Sequence, residues 1–231
     1  MREMLGASTK SRRCLEPLLQ RSQLMSESIL EPFTPQNTTV MMVDYSVGFV
    51  NTFRSHTVSE HITATVALAR TALGLRSGLV VNLGRGQTPY PQLAEALGDH
   101  PIIYRGGEYN ALDSPKVLEA VKKTGRQRLA IAGISTDGCI IETVLGALRL
   151  GFTVAVVEDA TAGLTRDTHD ICIRRMIQAG AIPVTWLSLA TEFQMNWEKK
   201  DTAQAYFSLI AEASPGLTMS IQAEHAAAAR A

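Results

Sequence analysis

The sequence has no net charge to offer a polyanion, because 22 Lys and Arg are matched by 22 Asp and Glu. Bulk electrostatics therefore gives no pull toward nucleic acid or an anionic membrane, and a small-molecule substrate is the expected partner. No apolar run approaches the roughly 20 residues that a membrane-spanning helix needs, and the N-terminus lacks the apolar core of a secretory signal. A soluble, cytoplasmic protein is the expectation. Cysteine is scarce: Cys14, Cys139 and Cys172 are too few and too scattered for a disulfide framework or a zinc site with paired ligands. A phosphate cradle is missing too. Gly84, Gly86 and Gly133 do not fall in a strand–GxGxxG–helix spacing and no GK[ST] follows, so nucleotide binding has little support.

What is present suits one core. A chain of 231 residues with 45% hydrophobic content can close one sizeable domain. Residues 1–30 read as an N-terminal extension, 31–215 as the folded domain and 216–231 as a C-terminal tail whose Ala-rich end, from Ala223, is expected to fray. In the extension Arg2, Lys10, Arg12, Arg13 and Arg21 outweigh Glu3 and Glu16, a composition expected to be poorly ordered. It reads as a dispensable arm. A transit peptide is the other reading, against which the two glutamates count, and Met25 is an alternative start of translation.

From Thr38 the run TTVMMVDY suits a strand buried on both faces, with Asp44 at its carboxyl end. Ser59 to Leu75 carries Ile62, Val66, Leu68 and Leu73 at helical spacing, with Ser59 placed as a cap. SGLVVNLG, PIIY before Arg105, RLAIAGI, FTVAVVEDA and IPVTWLSL read as further strands. Helices are expected to open at Asp113, Ser114 and Pro115 and run through Lys123, from Cys139 to about Leu150 and from Asp167 to Ala179, with Pro89 to Leu97 a short helix at best. Regular alternation of strand and helix argues a three-layer α/β/α sandwich around a mostly parallel, Rossmann-like sheet. Ligands of such sheets bind at the carboxyl ends of the strands, where Asp44, Arg105 and the turn before Cys139 all fall.

Cys139 follows Gly138 and opens a helix straight after a buried strand, a placement expected to lower a thiol pKa and favour the nucleophilic thiolate. The competing account is a small hydrophobe filling space. Cys172 lies mid-helix among apolar neighbours and reads as core. Asp44 ends an apolar strand, where a carboxylate is costly unless paired or employed. Arg105 precedes two glycines that let the backbone approach a crevice closely.

Taken together, MMVDYSVGFV, RGGEYNALDSPKVLEAVKKTG and LAIAGISTDGCIIETVLGALRLGFTVAVVEDATAG resemble the isochorismatase-like cysteine hydrolases. The likeness continues through HDICIRRMIQAGAIPVTWLSLATE, and the Asn110–Asp113 segment looks most like the YcaC-like subgroup. The resemblance implies an Asp–Lys–Cys triad mapped onto Asp44, Arg105 and Cys139, with arginine where most relatives have lysine. Arginine stays cationic and offers a planar fork of donors, but it cannot accept a proton. The resemblance also implies a cis peptide at Ile134–Ser135, an oxyanion hole from the N–H groups of Ser135 and Cys139, substrate contacts from Phe49, Asn110 and Ile134, and a homo-oligomer. Nicotinamidases hold a metal through an Asp-x-His pattern after the second strand; NLGRGQTPY has no His or carboxylate there, so neither metal nor other cofactor is expected. The implied function is hydrolysis of a small amide or related C–N bond through a thioester. The alternatives are a catalytically silent protein that keeps the fold for binding or scaffolding, and a nucleotide-binding module.

Overall fold

The computed structural model describes residues 29–228, so Cys14 and nearly all of the extension lie outside the described residues. The chain divides between Pro32 and Phe33, and the unit from Phe33 onward carries the fold. Six strands, β1 (Thr38–Val43), β2 (Gly78–Gly84), β3 (Ile102–Arg105), β4 (Arg128–Gly133), β5 (Thr153–Val157) and β6 (Ile182–Val184), form one sheet in the order β3-β2-β1-β4-β5-β6. All pairings are parallel. The helices are α1 (Val58–Gly74), α2 (Pro91–Leu97), α3 (Pro115–Lys123), α4 (Ile141–Arg149), α5 (Arg166–Gln178), α6 (Trp186–Gln194), α7 (Lys200–Ala213) and α8 (Pro215–Ala228).

The sheet is buried on both faces, which is why its strands read as continuous apolar runs rather than alternating ones. Along β1, Val40 and Met42 enter the layer built with α1, α2, α6 and α7, whereas Met41 and Val43 enter the layer built with α3, α4 and α5. The three-layer α/β/α sandwich is therefore present, and its sheet is wholly parallel.

Several boundaries differ from the sequence reading. Thr57, not Ser59, caps α1, because Glu60 reaches back to complete a capping box. IPVTWLSL is a strand only over Ile182–Val184: Thr185 Oγ1 accepts the Ser188 N–H at 3.1 Å and turns the chain into α6. The segment taken as a tail is helical from Pro215 to Ala228. Thr136–Ile140 forms a wide π turn, so α4 starts at Ile141 rather than at Cys139.

Candidate active site

The strand order reverses between β1 and β4, and the carboxyl ends of these two strands frame the crevice. Asp44 follows β1 with φ 57°, and its N–H donates to the Asn82 carbonyl at 2.9 Å. Its Oδ1 accepts the Gly84 N–H at 3.0 Å and its Oδ2 accepts from Arg105 Nη2. Gly84 and Arg105 are register partners across β2 and β3, which delivers the guanidinium to the carboxylate. Arg105 Nε donates to Asn82 Oδ1 at 3.0 Å and Nη1 donates to the Glu108 carbonyl. Asn82 Nδ2 in turn donates to the Met42 carbonyl at 3.1 Å. Burial of two charges is costly unless geometry and added hydrogen bonds compensate, and here both partners are held by further bonds.

On the other side of β1, Gly133 ends β4 at φ 154°, where a Cβ would lie 1.9 Å from the Val43 carbonyl oxygen. Only glycine lets the two strands approach this closely. The next peptide, Ile134–Ser135, is cis. The chain then enters the π turn, in which the N–H groups of Gly138 and Ile140 both donate to the Ser135 carbonyl, at 3.1 and 3.0 Å. Thr136 fastens this turn to its surroundings: its N–H donates to the Ala162 carbonyl at 2.9 Å, and its hydroxyl lies 2.8 Å from His169 Nδ1.

Cys139 sits in this turn, half-buried. Its thiol is pushed up to about 12, first by burial and then by the charge and hydrogen bond of Asp44, with Arg105 opposing. The expected lowering by a helix N-terminus is therefore reversed. Cys139 occupies the wide turn rather than the first position of α4, and burial together with the carboxylate outweighs the cation. At rest the site holds a thiol beside an ion pair. Cys172, on α5, is raised by burial and has no part in this cluster.

A half-open cavity of about 330 Å³ lies over the thiol. Phe49, Ile134, Ser135 and Cys139 come together on its wall. Asn110 does not: its Oδ1 accepts the Leu112 N–H at 3.1 Å and its Nδ2 donates to Asp113 at 2.7 Å, capping a short 3-10 turn beside α4. Its neighbour Tyr109 lines the cavity instead, with Thr52, Asp137 and Leu164. The sequence reading missed these four because Thr52, Tyr109 and Leu164 sit on loops and Asp137 in the π turn. It also missed Asn82, although a polar residue inside the apolar run LVVNLG was a readable signal. Among the described residues no group of three or more His, Cys, Asp or Glu side chains could hold a metal ion. No helix of the described residues is long and apolar enough to cross a membrane.

The fold itself, a parallel α/β sandwich, is that of isochorismatase-like YcaC structures. The isochorismatase domain matches residues 38–188, and the chain belongs to that family and with it to the hydrolases. It is 32% identical to the probable hydrolase YcaC of Escherichia coli over 68% of this chain and 78% of that protein. The crystal structure of E. coli YcaC, described as an octameric hydrolase of unknown specificity, superposes with a TM-score of 0.79 at 26% identity, covering 84% of this chain and 97% of that one. YcaC from Pseudomonas aeruginosa, solved with hexane-2,5-diol and covalent acrylamide, gives a TM-score of 0.79 at 28% identity over 85% of this chain and 98% of that one. A probable inactive nicotinamidase of Arabidopsis thaliana is 28% identical over 57% of this chain and 60% of that protein.

Proposed function

We propose that the protein is a cysteine-dependent hydrolase of small amides or related C–N bond substrates, acting through a thioester. The observation that carries the reading is Cys139 on the cavity wall with its thiol under the influence of both Asp44 and Arg105. Asp44 takes the thiol proton as sulfur attacks the carbonyl carbon, so no free thiolate has to accumulate. The N–H groups of Ser135 and Cys139 receive the developing oxyanion. Asp44 returns the proton to the leaving nitrogen, the amine departs, and the acyl group stays on sulfur. Water, giving its proton to Asp44, then attacks the thioester, and the acid leaves as the thiol is restored. Arg105 holds Asp44 in place and balances its charge throughout. Phe49 and Ile134 flank the acyl group, and Asn110 shapes the turn that presents Tyr109.

The covalent acrylamide in P. aeruginosa YcaC supports a reactive group in a relative, and the octameric E. coli protein supports a homo-oligomer here. A second reading is a silent binding or scaffold protein. The raised thiol favours it, as does the probable inactivity of the Arabidopsis relative. A panel of small amides incubated with wild-type protein and with Cys139→Ala, read by mass spectrometry, separates the two. Turnover lost in the variant, with an acyl adduct trapped on Cys139 in the wild type, supports the hydrolase. Turnover retained in Cys139→Ala removes the nucleophile assignment, and no turnover or adduct with any amide favours the silent protein.

A further inference from the structure

We infer that the cavity beside Cys139 selects uncharged, apolar acyl groups and rejects substrates that carry a carboxylate near the scissile carbonyl. The inference deepens the hydrolase reading and rests on it. Phe49, Tyr109, Ile134 and Leu164 give the wall its apolar character, and Thr52 adds a neutral hydroxyl. No lysine, arginine or histidine is among the described residues that line it.

Arg105 and Arg54 are already engaged. Arg105 is only 4% exposed, and its three nitrogens donate to Asn82 Oδ1, the Glu108 carbonyl and Asp44 Oδ2. Arg54, two residues after Thr52, folds Nη1 back onto the carbonyls of Asn51 and Phe53 at 2.9 and 2.8 Å. The charged wall residue, Asp137, is negative. A carboxylate placed here gives up water, meets no cation on the wall and faces the acid Asp137, whereas an alkyl or aryl group gains from burial.

Two alkylating reagents of nearly equal size test this. Iodoacetamide is neutral and iodoacetate is anionic; in each the Cys139 sulfur bonds the methylene carbon and displaces iodide into solvent, with the thiol proton passing to Asp44. The rate ratio at Cys139, followed by peptide mass spectrometry, is compared with the ratio for free mercaptoethanol under the same conditions. Preference for iodoacetamide at Cys139 is expected to exceed that of mercaptoethanol by about tenfold or more. Leu164→Lys, at a position 55% exposed and so compatible with folding, is expected to narrow the ratio by roughly threefold or more by adding a cation to the wall. A ratio equal to that of mercaptoethanol overturns the selectivity, and a ratio unmoved by Leu164→Lys overturns its assignment to the wall. Failure of both reagents to label Cys139 is a different result: it removes the nucleophile reading, and this inference with it.

Discussion

The Asp44 carboxylate and the Arg105 guanidinium lie buried against one another, with both carboxylate oxygens accepting and all three guanidinium nitrogens donating. The pair is thus an electrically balanced unit set into the strand ends, and the Cys139 thiol sits beside it. Lysine at position 105 could neutralise Asp44 but could not also bond Asn82 and the Glu108 carbonyl with the same planar fork.

Arg105→Ala is therefore expected to damage both stability and chemistry. Removing one partner of a buried pair leaves an uncompensated charge and costs about 3–5 kcal/mol. Acylation of Cys139 is expected to slow by on the order of a hundredfold, because Asp44 and a developing thiolate then repel each other unopposed. Arg105→Lys should fall between this variant and the wild type. Urea denaturation and single-turnover acylation measure the two effects. An Arg105→Ala protein with wild-type acylation would remove Arg105 from the site.

The protonation of Cys139 gives a second prediction. With its thiol held near 12, difference absorbance at 240 nm between wild type and Cys139→Ala should show no thiolate from Cys139 at neutral pH. Labelling by iodoacetamide near neutrality should nevertheless proceed and be lost in Asp44→Asn, since proton transfer to Asp44 replaces prior ionisation. A thiolate step below pH 8 would show instead that Arg105 outweighs burial and Asp44.

Much of this was legible in the chain. Strands buried on both faces announce themselves as runs such as TTVMMV and RLAIAG, and their alternation with helices implies the parallel sheet that brings Asp44, Arg105 and Cys139 to one edge. The charge state of Cys139 was not legible, because it depends on burial and on how near a residue 95 positions away in sequence comes to the sulfur. The placement of Asn110 was not legible for a related reason: its amide bonds within three residues of itself, a local choice that leaves Tyr109 on the cavity wall. The start of α6 hid inside an apolar stretch whose Thr185–Ser188 cap is a weaker signal than the β-branched residues before it.

Gly133→Ala probes the close approach of β4 to β1. A Cβ placed 1.9 Å from the Val43 carbonyl oxygen forces backbone movement directly beneath Asp44 and the nucleophile turn. A loss of about 3 kcal/mol or more is expected, from strain that volume alone would not produce at an alanine. Gly107→Ala, where a Cβ meets nothing within 4 Å, serves as the control and should cost far less. Equal denaturation midpoints for the two variants would show that the strands can separate without penalty.

The pH dependence of stability follows from two buried histidines and one half-buried carboxylate with opposing signs. His61 is packed among the rings of Tyr45, Phe53 and Tyr90 with no hydrogen-bond partner on either nitrogen, and burial lowers its pKa from 6.5 to about 3. His169, beside Thr136, is lowered by burial to about 4. Both are neutral in the fold and take up protons more readily when unfolded, so stability is full above pH 6.5 and falls as pH drops toward 4. Asp159 works the other way: burial raises it from 3.8 to about 6, so its ionisation penalises the fold as pH rises through that range and is relieved on acidification. Between pH 7 and 5 each histidine costs about 2 kcal/mol and Asp159 returns about 1, leaving a net loss of about 3 kcal/mol. Urea denaturation at the two pH values reads this directly. His61→Phe is expected to shrink the loss to about 1 kcal/mol and Asp159→Asn to enlarge it to about 4. A His61→Phe protein that loses as much stability as the wild type would show that His61 is not held neutral among those rings.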